Sequence, residues 1–213
     1  MEPLAVVLGA VGLGLGLGAD RLATAWPEHD EEHPPGRPID WRTLVCALGG
    51  ALAFGLLPLR FAGDTLALVA FGAWFVTLIV GLATDLDQRV LADESTLPVI
   101  PLALLYAVSG RNPLVDGAVL IAVVAAILIP AVLYLPSIPF GAGAFGMGDV
   151  KFLAGMGLML GGELALSATL FGLIVAGVVL LVLLVTRRIG RRSFVPFGPF
   201  LIIGALWAVL IRV

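Results

Sequence analysis

The stretch TLALVAFGAWFVTLIVGLAT, Thr65–Thr84, decides the fold: it runs without a single charged side chain. As a helix rising about 1.5 Å per residue, it matches the roughly 30 Å hydrocarbon core of a bilayer. Asp85-Leu-Asp87 follows at once. The rest of the chain has the same character. Its 213 residues are 60% hydrophobic and 13% charged, with a mean hydropathy of +1.11. A soluble domain is closer to about 45–50% apolar and about 25% charged. An all-α, polytopic integral membrane bundle is therefore expected.

Working outward from Thr65–Thr84 gives about eight transmembrane helices. Leu4–Gly18 and Leu44–Leu59 precede it. Leu97–Val108, Asp116–Leu135, Asp149–Leu160, Leu164–Thr186 and Phe197–Val213 follow. Leu97–Val108 is short for a span, and the Gly161-Gly162 pair turns the chain between the sixth and seventh segments. Residues 20–41 carry Pro27, Pro34, Pro35 and Pro38, so this segment reads as a short cytoplasmic loop. Met1–Gly18 lacks a basic start and reads as a retained first helix rather than a cleaved signal. Its Gly12, Gly14, Gly16 and Gly18 point to close helix packing. No separate soluble domain is evident, and residues 1–213 read as one transmembrane domain.

Loop charge sets the orientation. Arg21, Arg37, Arg42, Arg89, Lys151, Arg187, Arg188, Arg191 and Arg192 fall on one side of the eight-span arrangement. Arg60, Arg111 and Arg212 fall on the other. That imbalance puts the first polar loop in the cytoplasm and both termini outside. Asp85 and Asp149 then lie at the cytoplasmic ends of their spans.

Several function classes are excluded or unsupported. Cys46 is the only cysteine, which rules out an intrachain disulfide, a four-cysteine zinc site and a CxxC redox pair. It reads as a small buried hydrophobe. His29 and His33 lie among Glu28, Asp30, Glu31 and Glu32, a solvated acidic loop that needs no metal. No HExxH occurs, and no basic run is long enough for nucleic acid. No metal and no nucleic-acid partner are expected.

The chemistry rests on Asp85 and Asp149. A carboxylate at the edge of an apolar span is costly, so it marks a candidate functional site. If their helix ends meet, the two acids can share one proton. The ionised partner then takes a proton from water while the protonated partner polarises a carbonyl. Gly146 and Gly148 let backbones approach just before Asp149, although an ordinary glycine turn capped by Asp149 accounts for them equally. A proton- or cation-coupled transporter and an inactive membrane scaffold are the competing readings.

Three separated motifs give a resemblance. Thr84-Asp-Leu-Asp-Gln-Arg-Val-Leu-Ala-Asp-Glu-Ser-Thr-Leu-Pro98 resembles the first acidic motif of the type IV prepilin peptidases, which are GxGD-type intramembrane aspartic proteases. Phe145-Gly-Met-Gly-Asp-Val-Lys-Phe-Leu-Ala154 is similar to their GxGD motif, and Pro196-Phe-Gly-Pro-Phe200 to their PFGP element. The resemblance implies an endopeptidase of the inner membrane that removes a basic leader from type IV prepilin or pseudopilin precursors at the cytoplasmic face. It implies Asp85 and Asp149 as the catalytic pair, with Asp87, Asp93, Thr96, Gly146, Gly148 and Lys151 supporting. Lys151 is expected to pair with a carboxylate. Asp93 and Thr96, with Pro98, are expected to shape the start of the fourth span. Asp87, Asp93 and Glu94 are expected at the mouth, attracting the leader. Proteolysis needs no cofactor. S-adenosylmethionine enters only if the N-methylation found in many members is retained. The loop at residues 20–40 lacks the paired cysteines of larger members.

Overall fold

The structure, a computed structural model, describes residues 2–29, 31, 33–140, 145–190 and 195–212. Among these residues the chain is helical, with no strand. The helices are α1 (Glu2–Ala23), α2 (Trp41–Arg60), α3 (Thr65–Gln88), α4 (Asp93–Thr96), α5 (Val99–Val108), α6 (Val119–Ser137), α7 (Met147–Val185) and α8 (Gly198–Leu210). Five of them, α1, α2, α3, α6 and α7, are long and apolar enough to cross a membrane. At 10 and 13 residues, α5 and α8 cover only about 15 and 20 Å.

Polar caps place the helix starts where the chain leaves its loops. Asp40 accepts the Arg42 N–H at 2.8 Å ahead of α2, and Asp64 accepts the Ala67 N–H at 2.9 Å ahead of α3. Two boundaries differ from the hydropathy pattern. The first helix continues through Asp20 and Arg21 to Ala23, and the third continues through Asp85 and Asp87 to Gln88. Charge alone does not end a helix whose polar groups find partners. At the start of α6 the reverse holds: Asp116 and Gly117 have φ of 45° and 76°, so helical backbone begins only after them.

The seventh helix is a hairpin in disguise. Gly161 has φ 75° and ψ −177° inside it, backbone that favours glycine. Lys151 pairs with Asp93, while Val179 and Leu183 line a cavity with Asp87. A straight helix would hold Lys151 and Leu183 about 48 Å apart. The chain therefore reverses at Gly161, as the Gly161-Gly162 pair foretold, and both arms return to the same end of the bundle.

Packing divides the bundle in two. One half is α1, α2 and α3; the other is α5, α6 and α7, and α8 joins them by packing on both α7 and α3. Direct contact between α3 and α7 is marginal, and α4 touches both. The tightest pair is α1 with α2. A Cβ at Gly12 would collide with the Gly50 carbonyl, and one at Gly16 with the Cys46 carbonyl. Gly14 and Gly18 meet nothing within 4 Å, so the i, i+4 glycines make the close approach. Cys46 is fully buried there. Gly12→Val should lower stability by about 1–3 kcal/mol, read as a lower unfolding midpoint in detergent. Gly14→Val should leave the midpoint unchanged.

Candidate active site

Asp85 and Asp149 come from opposite halves and are both buried, 4% and 9% exposed. Asp85 sits on the last turn of α3. Asp149 sits in the first turn of α7, where its Oδ2 accepts the Gly146 N–H at 3.2 Å. This one-way hydrogen bond holds the carboxyl at the helix entrance.

Leu91, in the link between α3 and α4, connects the two. A Cβ at Gly148 would lie 2.9 Å from the Leu91 Cβ, and one at Gly198 3.3 Å from its Cδ1. The same Gly198 position lies 2.8 Å from Asp85 Oδ2, and its backbone amide faces the carboxylate. Gly148 and Gly198 therefore let α7 and α8 press against Leu91 beside the acids. Asp149 is close enough for its charge to act on Asp85. Among the described residues, Asp85 Oδ2 has no hydrogen-bond partner. A buried carboxylate oxygen left in that state is an unusual expense in an apolar chain.

The supporting residues separate by role. Lys151 Nζ reaches Asp93 Oδ1 at 2.5 Å, tying α7 to α4. Thr96 is buried, and its hydroxyl donates to the Ala92 carbonyl at 3.2 Å. Both close the short turn ahead of Pro98 and α5.

Asp87 corrects one expectation. It is not at an open mouth but 6% exposed, within a network that the sequence did not disclose. Its Oδ1 accepts from Arg37 Nε at 2.5 Å and from Arg42 Nη1 at 3.0 Å. Arg37 also reaches Asp20 and Asp40, each at 2.5 Å. Asp20, fully buried, binds Arg21 and accepts from the Thr43 hydroxyl at 2.7 Å. Burial opposes the Arg37 charge, but its hydrogen bonds to Asp20 and Asp87 prevail and hold the guanidinium above its ordinary pKa. The helix explains the divergence of Asp85 and Asp87: two residues advance it about 200°, onto opposite faces. His29 lies beside the network, 3.1 Å from the Gln88 side chain and 3.7 Å from Asp87. No group of three metal-ligating side chains occurs among the described residues; Asp30, Glu32, Arg191 and Arg192 lie outside them.

Basic residues segregate by end. Arg21, Arg37, Arg42 and Lys151 pair with Asp20, Asp87 and Asp93, at the end of the bundle that carries Asp85 and Asp149. Arg60 reaches the Val209 carbonyl and Arg212 pairs with Glu163 at the other end.

A helical membrane bundle with two buried acids on separate helices at one end is thus the class that fold and site define. The chain belongs to the type IV leader peptidase family, whose profile matches residues 73–185, a segment containing both acids. Relatives agree. A prepilin leader peptidase/N-methyltransferase of Burkholderia pseudomallei (strain 1026b) is 32% identical over 161 residues, covering 76% of this chain and 52% of that protein. A type 4 prepilin-like proteins leader peptide-processing enzyme of Escherichia coli O78:H11 is 31% identical, covering 76% of this chain and 58% of that protein. An Aeromonas hydrophila prepilin leader peptidase/N-methyltransferase is 28% identical, covering 78% and 56%. The chain spans about half the length of the curated relatives it matches. No solved structure matches it significantly.

Proposed function

We propose that the protein is an aspartic endopeptidase that removes the leader of type IV prepilin-like precursors, with Asp85 and Asp149 as its dyad. The observation that carries this reading is the pair itself. Two buried carboxyls from separate halves flank the same residue, Leu91, and the charge of Asp149 acts on Asp85, inside the segment that matches the family profile. One carboxyl holds a proton and the other is ionised. The carboxylate removes a proton from water as the oxygen attacks the peptide carbonyl carbon. The protonated partner gives its proton to the carbonyl oxygen. When the tetrahedral intermediate collapses, the C–N bond breaks and the amide nitrogen takes a proton back from the pair. Which acid starts as base belongs to the pair, not to either residue.

The site faces the cytoplasm of a cytoplasmic or inner membrane in this reading, because basic residues concentrate at the same end. Hydrolysis needs no cofactor. S-adenosylmethionine presents a cationic sulfonium and ribose hydroxyls, which call for free carboxylates. Here Asp20, Asp40 and Asp87 are committed to arginines and Asp93 to Lys151. Those four acids are not available to such a group, and the proposal is confined to proteolysis.

Co-expression with candidate prepilins from the source genome tests the reading. The expected result is a shortened precursor whose new N-terminus marks one cut; a precursor left at full length in every pairing rejects it. Gly198→Ala offers a finer check, because the added methyl forces the Asp85 carboxyl to move. Cleavage should fall about 10–100-fold with little change in protein level. Unchanged cleavage would separate Gly198 from the chemistry.

A further inference from the structure

The two arms of α7 end differently. The first is tied to α4 through Lys151. The second packs on α8, with little contact to α2 or α3, and a cavity of about 360 Å³ fills the gap. Val179 and Leu183 of α7 form its apolar wall, while Trp41, Arg42, Asp87 and Arg89 line the polar side. Deeper in the bilayer, α2 exposes Leu44 and Leu48, and α7 exposes Val178 and Val182. The cavity therefore has a polar head and apolar flanks.

That head has cation to spare. Among the described residues, the one carboxylate lining it is Asp87, already held by Arg37 at 2.5 Å and Arg42 at 3.0 Å. Arg42 Nε is buried with no hydrogen-bond partner among the described residues. Asp40 Oδ2 stands 3.9 Å from it, beyond hydrogen-bond reach. Arg89 is exposed and forms no ion pair with a described residue. A buried N–H without an acceptor is costly, and a second guanidinium beside it calls for an anion with several oxygens. The Arg188 N–H donates to the Leu183 carbonyl at 2.9 Å, so Arg187 and Arg188 add positive charge at the end of the apolar wall.

We infer that this cavity between α2 and α7 binds an anionic phospholipid, with its phosphate on Arg42 and Arg89 and its acyl chains along Val179 and Leu183. A free anion would leave the apolar wall uncovered. A zwitterionic headgroup brings an ammonium, and the carboxylate it needs, Asp87, is taken by arginines. Trp41, 61% exposed beside the Arg42 guanidinium, supplies the aromatic side chain that favours the headgroup level. In the orientation that loop charge sets, this is the cytoplasmic leaflet, where anionic lipids are attracted by basic residues. The site stands whether or not the acids cleave a precursor.

Native mass spectrometry of the full chain in a neutral detergent tests this, with dioleoyl phosphatidylglycerol, dioleoyl phosphatidylcholine or inorganic phosphate added in separate arms. The parent protein should retain one phosphatidylglycerol at a concentration about 30-fold below that needed for phosphatidylcholine, at about 5-fold per arginine. Arg89→Asn should weaken phosphatidylglycerol about 5-fold; asparagine accepts the positive φ of 59° at this position, so the backbone is kept. Arg42→Gln should weaken it similarly, whereas Arg111→Asn, exposed at the other end, should leave it unchanged. Phosphatidylglycerol brominated on its acyl chains should quench tryptophan fluorescence saturably, and Trp41→Phe should remove that component. Equal retention of the two lipids, or full retention by Arg89→Asn, overturns the site. Inorganic phosphate bound as tightly as phosphatidylglycerol overturns the lipid assignment, because the apolar wall would then contribute nothing.

Discussion

Asp85→Asn and Asp149→Asn should each abolish leader removal, lowering the rate by about 10³-fold or more, while the protein accumulates normally in the membrane. The rate falls because an amide can neither take a proton from water nor return one to the leaving amine, and general acid–base steps supply about 10²–10⁴-fold each. The protein level holds for a structural reason. Asparagine has nearly the shape of aspartate and removes a charge from sites that are 4% and 9% exposed. Asp85 Oδ2 has no hydrogen-bond partner to lose. At position 149 the amide oxygen can still accept the Gly146 N–H, now 3.2 Å from Oδ2. Immunoblots of the co-expressed precursor and of the enzyme separate the two effects. Near-normal cleavage by either variant would end the dyad mechanism and favour a transporter or scaffold role for the acids.

The two acids were legible because an apolar chain isolates them. Asp85 ends a charge-free stretch and Asp149 follows a glycine run, so each stands out without knowledge of its partner. The hairpin at Gly161-Gly162 was legible for a similar local reason: glycine is the residue that accepts its positive φ. What lay hidden was set by distant contacts. Ending the third span at Thr84 concealed the helical phase of Asp87, whose 200° offset from Asp85 turns it toward α1 and α2. Arg37 meets Asp20 and Asp87 from 17 and 50 residues away, a separation that no local pattern records. Leu91 and Gly198 became part of the site only through the approach of α8 to α3. The motif containing Gly198 was visible, but its contact with Asp85 was not.

That hidden network gives the largest expected effect on stability. Arg37→Ala should destabilise the protein by about 3–5 kcal/mol, the usual loss when one member of a buried ion pair is removed. The guanidinium is 11% exposed and spans three carboxylates at once, through Nε to Asp87, Nη1 to Asp40 and Nη2 to Asp20. Its removal leaves Asp20, fully buried, with Arg21 and Thr43 alone, and Asp87 with Arg42. Arg37→Lys should rescue little, since one ammonium cannot reproduce a fork that reaches three acids. Asp87→Ala makes the reciprocal error on a smaller scale: Arg37 keeps Asp20 and Asp40 but loses its third carboxylate, and Arg42 loses its shorter ion pair, so it should also lower protein level rather than chemistry. The unfolding midpoint of Arg37→Ala in detergent should drop by about 10 °C. Because Asp85 faces away from the network, the protein that does fold should still cut its precursor. A midpoint unchanged from the parent would mean that these arginines merely decorate the helix ends. Loss of cleavage at full stability would instead draw the network into the active site.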